Sequence, residues 1–291
     1  MSAVAYVNGR FLPITEAGIG IEDRSVQFAD SIYEVVAFFS HRLLDMDRHI
    51  WRLRRNAAAL FLDGVPTDVV LARLANRLIA RSRLNDGLLY IQVSRGVAKR
   101  DHGFPTNTAT GLMMTARRFD FRQRLTQQHE GVCAISLPDQ RWSRCDIKTT
   151  GLLPAVLAKE EARRAGAFEA ILYQPDGVVT EGASTNIWMV DGEGRLVTHP
   201  LCASILPGIA RETLMAIARE QGIPVLERTF TLAEARAAPE LFLTSTTAPV
   251  LPIVRLDGAP VGAGRPGPVV ARLVPLVWKN IESLTGWRAE K

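Results

Sequence analysis

The sequence predicts a two-domain α/β protein of the α+β type, with mixed or antiparallel sheets rather than a doubly wound parallel sheet. The 291 residues are enough for two domains, since an average domain has roughly 150 residues. Strand patterns are short and often joined by hairpin turns, whereas parallel strands need longer crossovers. A polar segment without periodicity, residues 119–130, is the predicted linker between an N-terminal α+β domain, residues 1–118, and a C-terminal α/β domain, residues 131–291.

The N-terminal domain is expected to contain two hairpins, two helices and two further strands, in that order. Asn8-Gly9 predicts a tight turn inside Ala3–Pro13, because both turn positions need a positive φ that Asn and Gly tolerate. Asp47 and Thr67 precede apolar positions at helical spacing, and we expect each to cap a helix. The remaining strands are predicted over Glu34–Phe39, Leu43–Met46, Gly87–Arg95 and Gly111–Arg118.

In the C-terminal domain, strand patterns and helix patterns are interspersed. The first strand, Gly131–Leu137, is followed by a helix over Leu152–Ala165. Further helices are expected from Pro207 and from about Val269, since Pro is favoured in the first turn of a helix. Apolar runs predict the later strands Glu169–Gln174, Asn186–Val190, Arg195–Thr198, Val225–Phe230 and Leu241–Ser245.

Composition and charge exclude several classes of protein. Hydrophobic residues make up 47% of the chain, yet no apolar run approaches the ~18 residues of a membrane span, so no membrane association is expected. The N-terminus lacks a signal-peptide pattern, and three cysteines without metal-ligand spacing are typical of a reducing compartment. We therefore expect a cytoplasmic protein without a metal site. The net charge of +5 comes from scattered residues without a nucleic-acid-binding motif, so small anionic ligands are expected instead.

Lys148 differs from the other basic residues. Only five of the 35 basic residues are lysines, so arginine serves almost everywhere else. Arginine cannot lose its proton in a protein, whereas a desolvated lysine can deprotonate and form an imine. The other lysines lie at the C-terminus, in helical patterns or in a loop, while Lys148 lies in Arg-Cys-Asp-Ile-Lys-Thr-Thr-Gly, which is unlike a helix surface. Lys148 is therefore the candidate for covalent catalysis.

A second group of residues could hold a phosphorylated ring. The stretch from Ser204, Ser-Ile-Leu-Pro-Gly-Ile, opens a helix whose free amides favour an anion, and Thr244-Ser-Thr-Thr adds hydroxyls at a strand end. Arg52, in the first predicted helix, could give a charge-assisted bond to the same anion. Glu181 lies between two apolar strands, where a carboxylate could keep a pyridine nitrogen protonated. Together with Lys148, these features predict a site for pyridoxal 5′-phosphate.

The chain resembles the fold-type IV pyridoxal-phosphate enzymes, the class IV aminotransferases, and within them most closely the D-amino acid transaminases. The resemblance runs from Tyr6 to about Pro252. Its markers, in family order, are Asp23-Arg24, Tyr33-Glu34, His49 with Arg52-Leu53, Asp146-Ile-Lys148, Glu181-Gly with Asn186, Leu206-Pro-Gly-Ile and Ser245-Thr246. Arg100-Asp-His102 matches the Arg-x-His of the D-amino acid branch, and Ala167 stands where branched-chain transaminases tend to have tyrosine.

This resemblance implies a homodimer whose two-domain subunits hold the site between the domains. It implies a ping-pong transamination between a D-amino acid, such as D-alanine or D-glutamate, and a 2-oxo acid. By the same resemblance, Lys148 forms the internal aldimine and then moves a proton between substrate and cofactor. Two other reactions of the same fold stay open, those of aminodeoxychorismate lyase and of branched-chain L-amino acid transaminase.

The family pattern also implies roles for further residues. Glu181 is expected to bind the pyridine nitrogen, and Leu206 to pack against the ring. The residues expected to hold the phosphate are Arg52, Ile209, Ala210, Ser245 and Thr246. The residues expected to bind the substrate α-carboxylate are Tyr33, Arg100 and His102.

The chain departs from the family pattern at several positions near these residues. Ser25, Ala29 and Ser31 stand where family members usually have glycines. Ala210 replaces a threonine of the phosphate turn, and Thr150 and Gly151 stand where an asparagine often follows the lysine motif. We expect these departures to affect loop conformation and phosphate affinity, and not the choice of cofactor.

Overall fold

The computed structural model describes residues 3–288, which divide into two compact units. The first unit contains the described residues up to Asp120, together with Ile147–Gly151 and Leu284–Trp287. The second unit contains Phe121–Asp146, Leu152–Ser283 and Arg288. Lys148 therefore belongs to the first unit, whereas the predicted boundary at residue 131 assigns it to the second. The physical reason is that its segment pairs with a strand of the first unit.

The first unit is a six-stranded antiparallel sheet packed against two helices. Its strands follow the order β2-β1-β6-β5-β3-β4. The elements are β1 (Val4–Val7), β2 (Arg10–Pro13), α1 (Arg24–Phe28), β3 (Ser31–Phe39), β4 (Arg42–Leu43), α2 (Met46–Ala59), α3 (Asp68–Ser82), β5 (Gly87–Ser94) and β6 (Gly111–Arg118). Leu53 of α2 and Leu78 of α3 are buried with Val36 and Ile91 of the sheet in one apolar core. This core fixes the strand that carries Tyr33.

The second unit is built on a nine-stranded mixed sheet. The elements are α4 (Arg122–Glu130), β7 (Val132–Pro138), α5 (Leu153–Arg164), β8 (Glu169–Tyr173), β9 (Val179–Gly182), β10 (Asn186–Val190), β11 (Leu196–Thr198), α6 (Ile209–Glu220), β12 (Val225–Glu227), α7 (Leu232–Ala237), β13 (Glu240–Ser245), β14 (Ala248–Leu256), β15 (Ala259–Pro260) and α8 (Pro268–Thr285). The strand order is β12-β11-β10-β13-β14-β7-β8-β9, and β15 pairs with β14. The β11–β12, β14–β7 and β7–β8 pairs are parallel. The predicted fold class, with mixed and antiparallel sheets, is confirmed.

Most predicted elements are present within a few residues of their expected ends. Asn8 and Gly9 have φ values of 43° and 93°, as the predicted turn requires. The Thr67 side chain accepts a hydrogen bond from the amide of Val70 at 3.4 Å and caps α3 as predicted. The prediction that Asp47 caps α2 is wrong. The helix already begins at Met46, directly after Asp45, so Asp47 lies in its first turn.

The division between the two units falls at Asp120 and Phe121, inside the predicted linker over 119–130, but most of that segment forms helix α4. Among the polar residues of α4, Gln128 is buried. Its side chain donates to the Val250 carbonyl at 2.6 Å and accepts from the Trp278 indole at 2.7 Å. The second predicted hairpin strand is only Arg42–Leu43, since α2 follows it directly. The strand predicted to end at Phe230 ends at Glu227, and the sequence patterns missed α1, β9, α7, β14 and β15.

Candidate active site

Lys148 lies against the aromatic face of Tyr33 in the first unit. Its Nζ is 3.4 Å from the Tyr33 hydroxyl and 4.4 Å from the centre of the ring. Tyr33 in turn stacks on Tyr90, with ring centres 5.5 Å apart, and the Tyr90 hydroxyl donates to Gln92 at 2.7 Å. Burial and the neighbouring Tyr33 raise the pKa of Tyr90 to about 12, so its hydroxyl keeps its proton. The aromatic neighbour of the amine is therefore itself held in place by a second ring.

The backbone around Lys148 is paired with the start of β3. The Tyr33 amide donates to the Lys148 carbonyl at 3.0 Å, and the Thr150 amide donates to the Ser31 carbonyl at 3.1 Å. The Ser31 and Thr150 hydroxyls share a hydrogen bond of 2.5 Å, and the Thr150 hydroxyl also reaches the Ala29 carbonyl at 3.3 Å. Three departures from the family pattern thus meet in one hydrogen-bonded cluster. Ala29 has a φ of 54°, a conformation in which glycine is the easier residue.

Glu34, next to Tyr33 on β3, forms a buried cluster with two residues of α2. Arg52 donates to both carboxylate oxygens, from Nε at 2.8 Å and from Nη2 at 2.7 Å. His49 Nδ1 is 2.7 Å from the same carboxylate and donates to it, since an ionised carboxylate only accepts. Burial opposes the charge on Glu34, but Arg52 and His49 outweigh it and lower its pKa to about 2. Arg52 is the arginine expected at the phosphate, and the structure shows its guanidinium oriented by Glu34.

Arg100 and His102 lie on the loop between β5 and β6. Phe28 packs under both, with the Arg100 guanidinium 4.8 Å and the His102 ring 5.3 Å from its ring centre. Arg24 holds the loop by donating to the Asp101 carbonyl at 2.6 Å and to two neighbouring carbonyls. Within residues 3–288, neither Arg100 nor His102 makes a hydrogen bond or ring contact with Tyr33. Direct contacts between side chains therefore do not join these three residues.

Glu181 lies on β9 in the second unit, a strand that the sequence patterns missed. Its Oε2 accepts from the Asn186 side chain and from the Leu206 amide, both at 3.0 Å. Asn186 also donates to the Leu206 carbonyl at 3.0 Å. The family markers Glu181, Asn186 and Leu206 are thus one connected group, and the carboxylate is held in a fixed orientation.

Arg141 and Asp139 complete this group, and sequence reasoning did not single them out. Arg141 Nη1 contacts Glu181 Oε1, while its Nε and Nη2 donate to Asp139 at 2.9 and 2.8 Å. Burial opposes the charge of each residue, yet the mutual contacts raise the pKa of Arg141 and lower that of Asp139. In the sequence these two residues show only as an Asp-x-Arg spacing directly after β7, and such a charged pair is typical of an ordinary turn.

The first turn of α6 offers backbone donors for an anion. Gly208 precedes the helix and supplies no capping side chain, so the amides of Ile209 and Ala210 are left without an intrahelical partner. A Cβ at Gly208 would collide with Oδ1 of Asn186, so the backbone approaches the Glu181 group closely only because residue 208 is glycine. Ala210 keeps the amide donor that its threonine counterpart would supply.

Ser245 and Thr246 lie where β13 turns into β14. In the antiparallel β10–β13 pair, Asn186 stands opposite Thr244, the residue before Ser245. Ser245 Oγ accepts from the Ala248 amide at 3.1 Å and so stabilises the turn. The predicted phosphate residues of the second unit therefore lie at the same ends of the strands that carry the Glu181 group.

Each unit, taken by itself, holds groups that suit pyridoxal phosphate by their chemistry. Lys148 of the first unit is an amine that can hold an aldehyde. In the second unit, Glu181 is a buried carboxylate, and α6 begins with uncapped amides that favour an anion. Across residues 3–288, no group of His, Cys, Asp and Glu side chains is arranged to hold a metal ion. In the same stretch of chain, no helix combines the length and apolarity needed to cross a membrane.

Comparison with known proteins gives the family. The model of the class IV amino-transferases matches residues 31–256. The D-alanine aminotransferase of Bacillus licheniformis is 38% identical over 278 residues, which cover 96% of this chain and 97% of that protein.

Solved structures give the same fold. The branched-chain amino acid aminotransferase of Escherichia coli has a TM-score of 0.89 at 23% identity, covering 98% of this chain and 96% of that one. A hypothetical aminotransferase of Mycobacterium tuberculosis in a PLP-bound form has a TM-score of 0.82 at 21% identity, covering 97% and 99%. At these identities the two likenesses concern the fold alone. The match to the family model and the relative that is 38% identical show that this chain belongs to the class IV aminotransferases, which are pyridoxal-phosphate-dependent enzymes.

Proposed function

We propose that this chain transfers the amino group of a D-amino acid, D-alanine first among them, to a 2-oxo acid with pyridoxal phosphate as cofactor. The observation that carries the proposal is the position of Lys148, the amine held against Tyr33 by backbone pairing with β3. When bound, the cofactor supplies an aldehyde that a lysine holds covalently and a ring that withdraws electrons from the substrate α-carbon.

In this proposal Lys148 has two tasks. It would hold the cofactor covalently, and its amine would move the proton of the substrate α-carbon. Tyr33 orients Nζ through its hydroxyl, and the Tyr90 ring keeps Tyr33 in place. Because one amine performs both tasks, its replacement removes both.

The remaining predicted residues bind and orient. Glu181 holds the ring nitrogen in its protonated form, and Leu206 packs against the ring. The groups that hold the phosphate are the Arg52 guanidinium, the Ile209 and Ala210 amides, and the Ser245 and Thr246 hydroxyls. Arg100 and His102 bind the substrate α-carboxylate together with Tyr33, and this contact selects the enantiomer. An arginine is suited to this task because its planar guanidinium can bind a carboxylate with two hydrogen bonds.

The choice of a D-amino acid is supported by the relatives. Curated proteins 36–38% identical over almost the whole chain are named D-alanine aminotransferases. A branched-chain aminotransferase is a neighbour in fold at 23% identity, and this likeness supports no choice of donor.

We also propose that the enzyme is a cytoplasmic homodimer. Leu153, Val156 and Leu157 at the start of α5 are exposed large apolar side chains, which in oligomers are commonly covered by a second subunit. The three cysteines are all free thiols, as in proteins of a reducing compartment. Light scattering coupled to gel filtration measures the mass of the particle, and a monomer mass would contradict the dimer.

A panel of amino donors tests the proposed reaction. The purified protein is loaded with pyridoxal phosphate and assayed with D-alanine, D-glutamate, L-alanine and L-leucine, each with 2-oxoglutarate or pyruvate as acceptor. We expect the D-amino acids to react faster than their L-counterparts, and Lys148→Ala to lose this activity and the borohydride-sensitive visible absorbance band. Lys279→Ala, at an exposed position of α8, is the matched control and should keep both. A preference for L-leucine, or release of pyruvate from aminodeoxychorismate, would contradict the proposal.

A further inference from the structure

Asp139, Arg141 and Glu181 form a chain of three charges with almost no access to solvent. Their side chains are 3%, 11% and 7% exposed. Arg141 is the middle member and contacts a carboxylate on either side. Ionised side chains removed from water are costly unless opposite charges or hydrogen bonds compensate them. The balance of charge within the group therefore decides which ligand it accepts.

The three charges sum to −1, because two carboxylates share one guanidinium. Asp139 accepts two hydrogen bonds from the Arg141 guanidinium and one from the Arg141 amide at 3.1 Å, and the Thr180 hydroxyl also donates to Asp139 at 2.7 Å. Arg141 Nη2 also donates to the Ser204 carbonyl at 3.1 Å, which fixes the guanidinium in place. Burial raises the pKa of the nearby Cys145 to about 11, so that thiol adds no charge.

We propose that Asp139 is a positioning residue that neutralises Arg141, so that Glu181 keeps a full negative charge for the protonated nitrogen of a pyridine ring. Without Asp139, the Arg141–Glu181 pair would be neutral by itself and would have no preference for a cation. With Asp139, one positive charge is needed to balance the group. This inference rests on the proposed function, because it takes the pyridine ring of the cofactor as the cation.

Binding to the protein freed of cofactor tests this inference without any turnover. The two probes are pyridoxal phosphate and its 1-deaza analogue, in which a C–H replaces the ring nitrogen. Their dissociation constants are measured by quenching of tryptophan fluorescence. A hydrogen bond to a charged group corresponds to a preference on the order of 10- to 150-fold, so we expect wild type to favour pyridoxal phosphate by such a factor. Glu181→Gln should bind both probes about equally.

The informative variants change the charge of the group in two steps. Asp139→Asn brings the sum to zero and should reduce the preference about tenfold or more. The double variant Asp139→Asn with Arg141→Gln returns the sum to −1 and should restore the preference, which a merely structural role of Asp139 would not explain. Asp191→Asn removes another carboxylate paired with an arginine, Arg195, and should leave the preference unchanged.

The outcomes separate this inference from the proposed function. Wild-type protein that binds neither probe would overturn both. A wild-type preference that survives Asp139→Asn, or that the double variant fails to restore, would overturn the role of Asp139 alone. If circular dichroism shows that Asp139→Asn does not fold, Asp139→Ser makes the same change of charge in its place, and a reduced preference supports the role while an unchanged one contradicts it.

Discussion

The hydroxyl oxygens of Ser31 and Thr150 lie 2.5 Å apart, in a hydrogen bond that joins the start of β3 to the segment bearing Lys148. Both residues lie where the chain departs from the family pattern, which leads one to expect a glycine near position 31 and an asparagine where Thr150 and Gly151 stand. The two departures therefore compensate each other, because each hydroxyl supplies the partner of the other. Their bond adds a side-chain contact to the backbone pairing that positions the Lys148 amine.

A double-mutant cycle measures this bond. Ser31→Ala and Thr150→Val each remove one hydroxyl with little change in shape, and the pair should show a coupling of about 1 kcal/mol in the free energy of unfolding by urea. Ser31→Ala combined with Thr106→Val, at an exposed loop position, is the control and should be additive. Additive effects of Ser31→Ala and Thr150→Val would show that the bond contributes nothing to stability.

The sequence patterns predicted strands and helices where local chemistry was strong, and failed where tertiary contacts decide. Asn8-Gly9 and Thr67 are local signals and both were confirmed. Helix α4 was missed because its one buried polar anchor, Gln128, finds its partners far along the chain. The placement of Lys148 in the first unit was missed for the same reason, since its pairing with β3 spans more than a hundred residues.

In the candidate site too, the sequence pattern predicted some residues and missed those that only the fold brings together. Glu181, Asn186 and Leu206 were found through their spacing in the family pattern, and the structure joins them by hydrogen bonds. Asp139 and Arg141 were not found, because a charged pair two residues apart is common at turns and only the fold brings it to Glu181. Charge balance in a buried group cannot be read from local sequence.

Acid should weaken the fold through Glu34. Its pKa is about 2 in the folded protein against an ordinary 4.5, so between these values the unfolded chain binds more protons. The free energy of unfolding must then fall as the pH falls through this range. Urea unfolding of wild type across the range should show this loss, and Glu34→Gln should show a shallower dependence on pH.

Glu34→Gln also has a cost at neutral pH. It leaves the buried Arg52 without its carboxylate, a change that costs about 3–5 kcal/mol in buried ion pairs. Glu16→Gln, at an exposed position, should change neither the stability nor its dependence on pH. Equal pH dependence in wild type and Glu34→Gln would assign the acid sensitivity to other carboxylates.

Arg24 should control the mobility of the loop that carries Arg100 and His102. Arg24→Leu removes three hydrogen bonds from the guanidinium to the carbonyls of this loop. We expect faster hydrogen exchange of the loop amides and a higher KM for D-alanine, with kcat less affected, because substrate binding depends on the placement of Arg100. Arg10→Leu, on the exposed edge strand β2, is the control. Unchanged exchange in Arg24→Leu would mean that Phe28 alone holds the loop.

Arg100 should account for recognition of the substrate carboxylate. Hydrogen bonds to charged groups contribute about 1.5–3 kcal/mol, so Arg100→Leu should lower kcat/KM for D-alanine by about 10- to 150-fold. The ratio of D- to L-alanine activity should shrink as well, while the affinity for pyridoxal phosphate stays the same. Lys99→Leu removes a neighbouring exposed charge and should have little effect. Normal D-alanine kinetics in Arg100→Leu would remove Arg100 from the substrate site.

The half-reaction with a single amino acid tests the central claim most directly. Protein loaded with pyridoxal phosphate is mixed with D-alanine or L-alanine in the absence of any 2-oxo acid, and the released pyruvate is measured together with the visible spectrum. A ping-pong D-amino acid aminotransferase should release one pyruvate per loaded subunit from D-alanine, with loss of the visible band, and almost none from L-alanine in the same time. Equal or faster release from L-alanine, or no release from D-alanine, would contradict the account.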